Sequence, residues 1–173
     1  TYNLSSAVPS IRSWSLTSLP EHLSFDQIEK VLNSCDKNSI YGLRDYAIIV
    51  LLSRLGLRAN EIALLKLNDI NWHAGSLNIR GKGRTLVSLP LLPEVGVALS
   101  NYLQNARPKT DSRSVFVRAL APHSEFASSA GISQIAKTAL MRAGITVKHK
   151  GTHIFRHSLA TSLLQAGASL SEI

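Results

Sequence analysis

The stretch GTHIFRHSLATSLLQAG, residues 151–167, decides the reading of this chain. Phe155, Leu159, Leu163 and Ala166 recur at helical spacing, so they are expected to form a buried stripe, and Gly167 supplies the helix stop. The first turn is unusual. It carries His153, Arg156 and His157 where a helix ordinarily prefers acids. His153 and Arg156, at i and i+3, are neighbours on the margin of the stripe, a position that lines a cleft. Thr152 is placed to cap the helix, and the free backbone N–H groups beside it would give a phosphate oxygen several donors at once. For these residues alone two readings stay open: an anion site, or a His and an Arg that cap the helix and pair with acids.

A metal reading is weaker. His153 and His157 have the i, i+4 spacing of a helical zinc pair, but Ile154, Phe155 and Arg156 lie between them, so the catalytic Glu of that pattern is missing. A guanidinium between the ligands would repel a cation, and no cluster of Cys, Asp or Glu elsewhere supplies the remaining ligands. Neither a metal nor any other cofactor is expected.

Upstream of this helix the chain punctuates itself clearly. Ser24 and Gln27 fit a capping box, with Leu23 and Ile28 as its hydrophobic staple. A second helix is expected over 43–55, apolar on all sides in YAIIVLLSRL and ended by Gly56. A third is expected over 59–67. In INWHAGSLNIRGKGRTLVSLP the period changes from helical to alternating, which predicts a small antiparallel meander with Leu77 and Ile79 on one face. Helices over 94–105 and 133–143 follow, the latter closed by Gly144. The fold class is therefore α+β, mainly helical, with a small antiparallel three-stranded sheet.

Composition narrows the partner. At 173 residues and 45% hydrophobic content the chain can bury one sizeable core. The longest fully apolar run, Tyr46 to Leu52, is too short to cross a bilayer, and the single cysteine, Cys35, rules out an internal disulfide. A soluble, intracellular protein is expected. Net charge is +8, and its placement says more: residues 1–79 balance seven Lys/Arg against seven Asp/Glu, whereas residues 80–173 hold twelve against four. A basic half of this kind points to a polyanion, nucleic acid before anionic membrane, with a merely solubilising surface as the plain alternative. Residues 1–20 are rich in Ser and Pro without periodicity and read as a linker, leaving 21–173 as the domain. Ser169 and Glu172 begin a new capping box just before the sequence stops, which predicts that the chain is part of a longer protein.

Two further constellations carry chemistry. In SRLGLRANEIALLKL, Arg58 follows the helix-ending Gly56 and precedes a helix whose first turn holds Glu61, a carboxylate near enough to hold the guanidinium. In IRGKGRTLVSLP, Lys82 sits between Gly81 and Gly83 at a hairpin tip, from which it can reach over a ligand. Taken singly, each has a bland reading, as a structural corner arginine and a solubilising turn lysine.

In this order LGLRANEIALLKLNDI, GSLNIRGKGRTLVSLPL and HIFRHSLATSLLQAGASLSEI closely resemble the catalytic domain of the tyrosine recombinase (phage integrase) family, over roughly residues 20–173. The resemblance implies that Arg58 is the first catalytic arginine, Lys82 the hairpin lysine, His153 the histidine opening the His-x-x-Arg motif and Arg156 its second arginine. His157 matches the family's following, supportive His, and Glu61 the acid that buttresses the first arginine. Arg80, Lys82, Arg84, Lys148 and Lys150 are expected DNA contacts. The family's nucleophilic tyrosine lies C-terminal to this motif; Tyr2, Tyr41, Tyr46 and Tyr102 all precede His153 and none matches it. Thr85 stands where many relatives carry a further Lys or Arg.

The implied activity is site-specific recombination by metal-independent cleavage and rejoining of double-stranded DNA through a 3′-phosphotyrosyl intermediate. It implies self-association as a synaptic tetramer on DNA in the full-length protein, no membrane partner, and a cytoplasmic, nucleoid-associated location. The 173 residues themselves are expected to bind DNA without cleaving it. Two other functions compete: a DNA-binding relative without catalysis, which would not need Arg58 and the His153/Arg156 pair, and relaxation of supercoils of the type IB topoisomerase kind.

Overall fold

The computed structural model describes residues 21–81, 85–148 and 151–169. In order, α1 spans Phe25–Asn33, α2 Ile40–Arg54 and α3 Ala59–Leu64, followed by a single 3₁₀ turn at Leu67–Asp69. The strands β1 (Ile70–Asn71), β2 (Ser76–Arg80) and β3 (Leu86–Pro90) form an antiparallel meander, and α4 (Pro93–Asn105), α5 (Ala130–Arg142) and α6 (His153–Gln165) complete the described chain. The mainly helical α+β architecture with one small three-stranded sheet is as expected from the sequence.

The centre of the fold is α2. Every residue from Ala47 to Leu52 is completely buried, because α1, α4, α5 and α6 all pack around this helix. Its all-round apolar sequence has no other solution in water. The capping box at α1 forms in both directions, with Gln27 N–H donating to Ser24 Oγ at 3.2 Å and Ser24 N–H to Gln27 Oε1 at 2.9 Å. Both staple residues, Leu23 and Ile28, are buried. In the sheet, Leu77 and Ile79 face the core as their alternation requires. Among the described residues no helix is long and apolar enough to cross a membrane.

Three helix boundaries differ from expectation by more than one residue, and so does the buried face of α6. Helix α2 starts at Ile40 instead of 43, because Ser39 Oγ accepts from Gly42 N–H at 3.0 Å and caps an earlier turn. Gly42 is required there, since a Cβ would lie 1.9 Å from the carbonyl oxygen of Asp36. Helix α3 stops at Leu64 instead of 67: Leu65 turns extended, and its carbonyl accepts from Val115 N–H at 2.8 Å. A tertiary hydrogen bond thus overrides local helix propensity. Helix α5 begins at Ala130, with Gly131 tight against the ring of Phe126.

The fourth difference concerns α6. Its buried residues are Ile154, Phe155 and Ser158; Leu159 is only half-buried, and Leu163 and Ala166 are exposed. The expected stripe therefore holds for the first turn only, where α6 meets α2. Thr152 precedes the helix but is itself in helical geometry, φ −69° and ψ −26°, and its buried side chain makes no capping bond.

Candidate active site

The two arginines that the sequence separates by most of the domain meet at one cleft. Arg58 ends the α2–α3 corner, in extended geometry at φ −77° and ψ 152°. Glu61, one turn into α3, accepts twice from this residue: Oε2 takes the Arg58 backbone N–H and Oε1 takes Nη1, each at 2.8 Å. The carboxylate is nearly buried (9% exposed) while the guanidinium is half-exposed (53%). Glu61 thus fixes the base of Arg58 and leaves its other N–H donors free to serve a ligand.

Arg156 is held differently. Its Nη1 donates to the carbonyl oxygen of Gly56 at 2.8 Å. Gly56 ends α2 with φ +60°, a left-handed turn natural to glycine, and that turn places its carbonyl against α6. A Cβ at Gly56 would come within 3.1 Å of Leu159 Cδ2 and 3.8 Å of Arg156 Cγ. The LGLR corner therefore positions one arginine through its backbone and presents the other.

Arg58, His153 and Arg156 line a cleft of about 460 Å³, together with Asn60, Ser129 and Ser133. Two fixed guanidiniums, an imidazole and hydroxyl donors around one open volume make a site for a tetrahedral oxyanion. A second cleft of about 810 Å³ adjoins it, bounded by α3 and the sheet and lined by Arg58, Arg80 and Leu86 among others. Arg58 borders both.

The remaining sequence-derived residues distribute as follows. Arg80 lines the second cleft, its Nη1 2.5 Å from Oδ2 of the buried Asp69. His157 is exposed and lines neither cleft. Lys148 is exposed, and its backbone N–H donates to the Glu21 carboxylate at 2.8 Å. Lys82, Arg84 and Lys150 lie outside the described residues. Of the described tyrosines, Tyr41, Tyr46 and Tyr102 line neither cleft. Tyr102 is buried and stacks on Phe116 with ring centroids 5.2 Å apart, and burial pushes its phenol above the usual range. Its role is packing.

Three supporting residues escaped the sequence reading. Gly56 was legible as a helix stop but not as an acceptor for Arg156. Asp69 carried a signal only in its position, three residues after Lys66, whose N–H it accepts at 2.8 Å. Ser158, completely buried on α6, accepts from Leu23 N–H and donates to the Ile154 carbonyl, each at 2.7 Å. It ties the start of the domain to the helix that carries His153 and Arg156.

Fold and site together define a small, mainly helical α+β domain that gathers two guanidiniums and an imidazole at one open cleft. The model of the phage integrase family matches residues 21–173, and the chain belongs to that family. Over 174 residues the chain is 46% identical to the integrase/recombinase-type protein y4rA of Sinorhizobium fredii (strain NBRC 101917 / NGR234), covering 100% of this chain and 42% of that relative. It is 37% identical over 158 residues to the tyrosine recombinase XerD of Listeria monocytogenes (serotype 4b, strain F2365), covering 90% of this chain and 52% of XerD. The solved structure of XerH site-specific recombinase bound to difH substrate, a pre-cleavage complex, superposes with a TM-score of 0.71 at 26% identity, over 94% of this chain and 48% of that one. The chain thus spans about half or less of the length of these relatives.

Proposed function

We propose that this domain performs the phosphoryl-transfer chemistry of a site-specific DNA recombinase. The observation that carries the reading is the convergence of Arg58, Arg156 and His153 on one cleft, with both guanidiniums anchored from behind. In the reaction a tyrosine hydroxyl attacks a DNA phosphodiester, the 5′-oxygen leaves, and a 3′-phosphotyrosyl bond keeps the energy for rejoining. Negative charge grows on the non-bridging oxygens, and Arg58 and Arg156 stabilise it there. His153 donates a hydrogen bond to the phosphate or takes the tyrosine proton, and Lys82 protonates the leaving oxygen.

Around this centre, Glu61 positions Arg58, and His157 supports the first turn of α6. Arg80, Lys82, Arg84, Lys148 and Lys150 contact the duplex backbone. Residues 1–20 serve as the linker into a catalytic domain that runs from 21 onward. The nucleophile is supplied from outside residues 1–173, so this segment by itself binds DNA without cleaving it. The whole protein acts on double-stranded DNA in the cytoplasm, as a synaptic tetramer. The relatives' names support the reading: XerD is a tyrosine recombinase, and XerH is a site-specific recombinase captured with its difH substrate in a pre-cleavage complex.

The experiment is covalent trapping. The full-length protein incubated with nicked duplex in EDTA should form a covalent protein–DNA species, Arg58→Ala and Arg156→Ala should abolish it, and the 173-residue segment should form none. A requirement for added divalent metal, or an adduct on the segment alone, would refute this assignment of roles. Strand exchange between two defined duplexes, measured against relaxation of supercoils, separates recombination from topoisomerase action.

A further inference from the structure

The two clefts share Arg58 and Asn60, and the second carries another anchored arginine, Arg80. Arg80 repeats the design of Arg58 closely. In each pair a nearly buried carboxylate, Glu61 at 9% or Asp69 at 6% exposure, holds a half-exposed guanidinium, 53% for Arg58 and 48% for Arg80. In each, the same carboxylate also accepts the backbone N–H of the residue three positions earlier, Arg58 or Lys66, at 2.8 Å. That second bond stops the carboxylate from swinging.

Among the described residues, Asp69 is the one acceptor that the Arg80 guanidinium meets, through Nη1 alone. A guanidinium has five N–H donors, so most of its capacity is left for a ligand. Leu64 and Leu86 flank it, 45% and 61% exposed, Leu86 being the cross-strand partner of Arg80. Two cations, Arg58 and Arg80, lining one cleft with these apolar side chains match a nucleic-acid strand, where anionic phosphates alternate with apolar sugar edges.

We infer that Arg80 binds the DNA-backbone phosphate next to the one held by Arg58 and Arg156, and that Asp69 is the positioning residue that aims it. This rests on the DNA-strand reading above. Arg58, bordering both clefts, spans the two phosphates and sets the strand's path. The reacting phosphate is then located by its neighbour as well as by its own contacts.

The test uses binding of the 173-residue chain to a fluorescent, mixed-sequence duplex of about 30 base pairs, across about 20 to 200 mM salt. Wild type should lose affinity linearly on a log–log plot, and Arg80→Gln should flatten the slope by about 0.9, the loss of one phosphate contact. Asp69→Asn discriminates by sign. It removes a negative charge, so charge alone dictates tighter binding, whereas a positioning role dictates weaker binding with the same flattening. The Asp69→Asn/Arg80→Gln double variant should then match Arg80→Gln. Tighter binding by Asp69→Asn, or an Arg80→Gln slope equal to wild type, overturns the inference. Arg80→Gln changes an exposed side chain, so its result decides even if thermal melts show that Asp69→Asn does not fold. The strand reading fails separately, if wild type shows no salt dependence or Arg156→Ala leaves the slope untouched.

Discussion

Arg156 on α6 is bonded through Nη1 to the carbonyl oxygen of Gly56 at the end of α2, across 2.8 Å and a hundred positions of sequence. The same glycine lies two residues before Arg58. A single left-handed turn, at φ +60°, therefore sets the relative placement of both guanidiniums. The turn is the hinge point of the site geometry, and substitution there tests the site without touching a charged group.

Gly56→Ala forces a side chain into that left-handed conformation, which costs about 1 to 2 kcal/mol. Its Cβ would also press on Leu159 Cδ2 at 3.1 Å. The variant should melt several degrees lower and, in the full-length protein, lose DNA cleavage by more than the fraction unfolded explains. Cleavage at the wild-type rate in folded Gly56→Ala would show that the turn does not set the arginines.

Glu61 provides a cleaner separation of positioning from packing. Glu61→Gln keeps an oxygen for the Arg58 backbone N–H but puts an NH2 group where Nη1 had its acceptor, so the ionic bond is lost. If the carboxylate aims Arg58, cleavage by the full-length protein should fall by roughly ten- to a hundredfold, somewhat less than the loss of a complete oxyanion donor. Its thermal midpoint should move little. Combined with Arg58→Ala, the Gln substitution should add nothing further; additive losses would assign Glu61 a separate task.

Cys35 gives a pH prediction away from the site. Burial pushes its thiol from about 9 up to about 11, with nearby Arg142 opposing the shift. The folded state then keeps a proton that the unfolded state gives up at lower pH, so stability falls as pH rises between those two values. Below pH 9 this contribution is constant. Denaturation midpoints followed from pH 8 to 11 should decline more steeply in wild type than in Cys35→Ala. A thiol-specific reagent at neutral pH should label the native protein only as fast as it unfolds.

Much of this was legible in sequence because it depends on local chemistry. The α1 capping box, the buried alternation of Leu77 and Ile79, and the Arg58–Glu61 pair all arise between residues a turn or a strand apart. What stayed hidden depends on partners distant in the chain. The stop of α3 at Leu64 is set by Val115, and Leu163 is exposed because, among the described residues, nothing buries the later turns of α6. Nothing local marks Gly56 as an acceptor for Arg156 or Ser158 as an acceptor for Leu23. Periodicity names a face, and only packing decides how far along the helix that face is covered.

Ser158 supplies the last prediction, because its two hydrogen bonds join the entry of the domain to α6. Leu23 N–H is buried and donates to Ser158 Oγ at 2.7 Å, across 135 positions of sequence. Ser158→Ala removes the acceptor and leaves that N–H without a partner, a cost of about 1 to 3 kcal/mol. The hydroxyl's other bond, to the Ile154 carbonyl, is more dispensable, since that carbonyl also serves the helix. The loss should therefore be concentrated where the chain enters the domain. In hydrogen exchange the Leu23 amide should lose protection by a larger factor than the amides of α2, whose burial does not depend on Ser158. If the entry segment also steadies the first turn of α6, DNA cleavage by the full-length protein should fall while Ser158→Thr, which keeps the hydroxyl, retains more activity than Ser158→Ala. Equal exchange at Leu23 in wild type and Ser158→Ala would show that the bond contributes nothing to holding the entry segment.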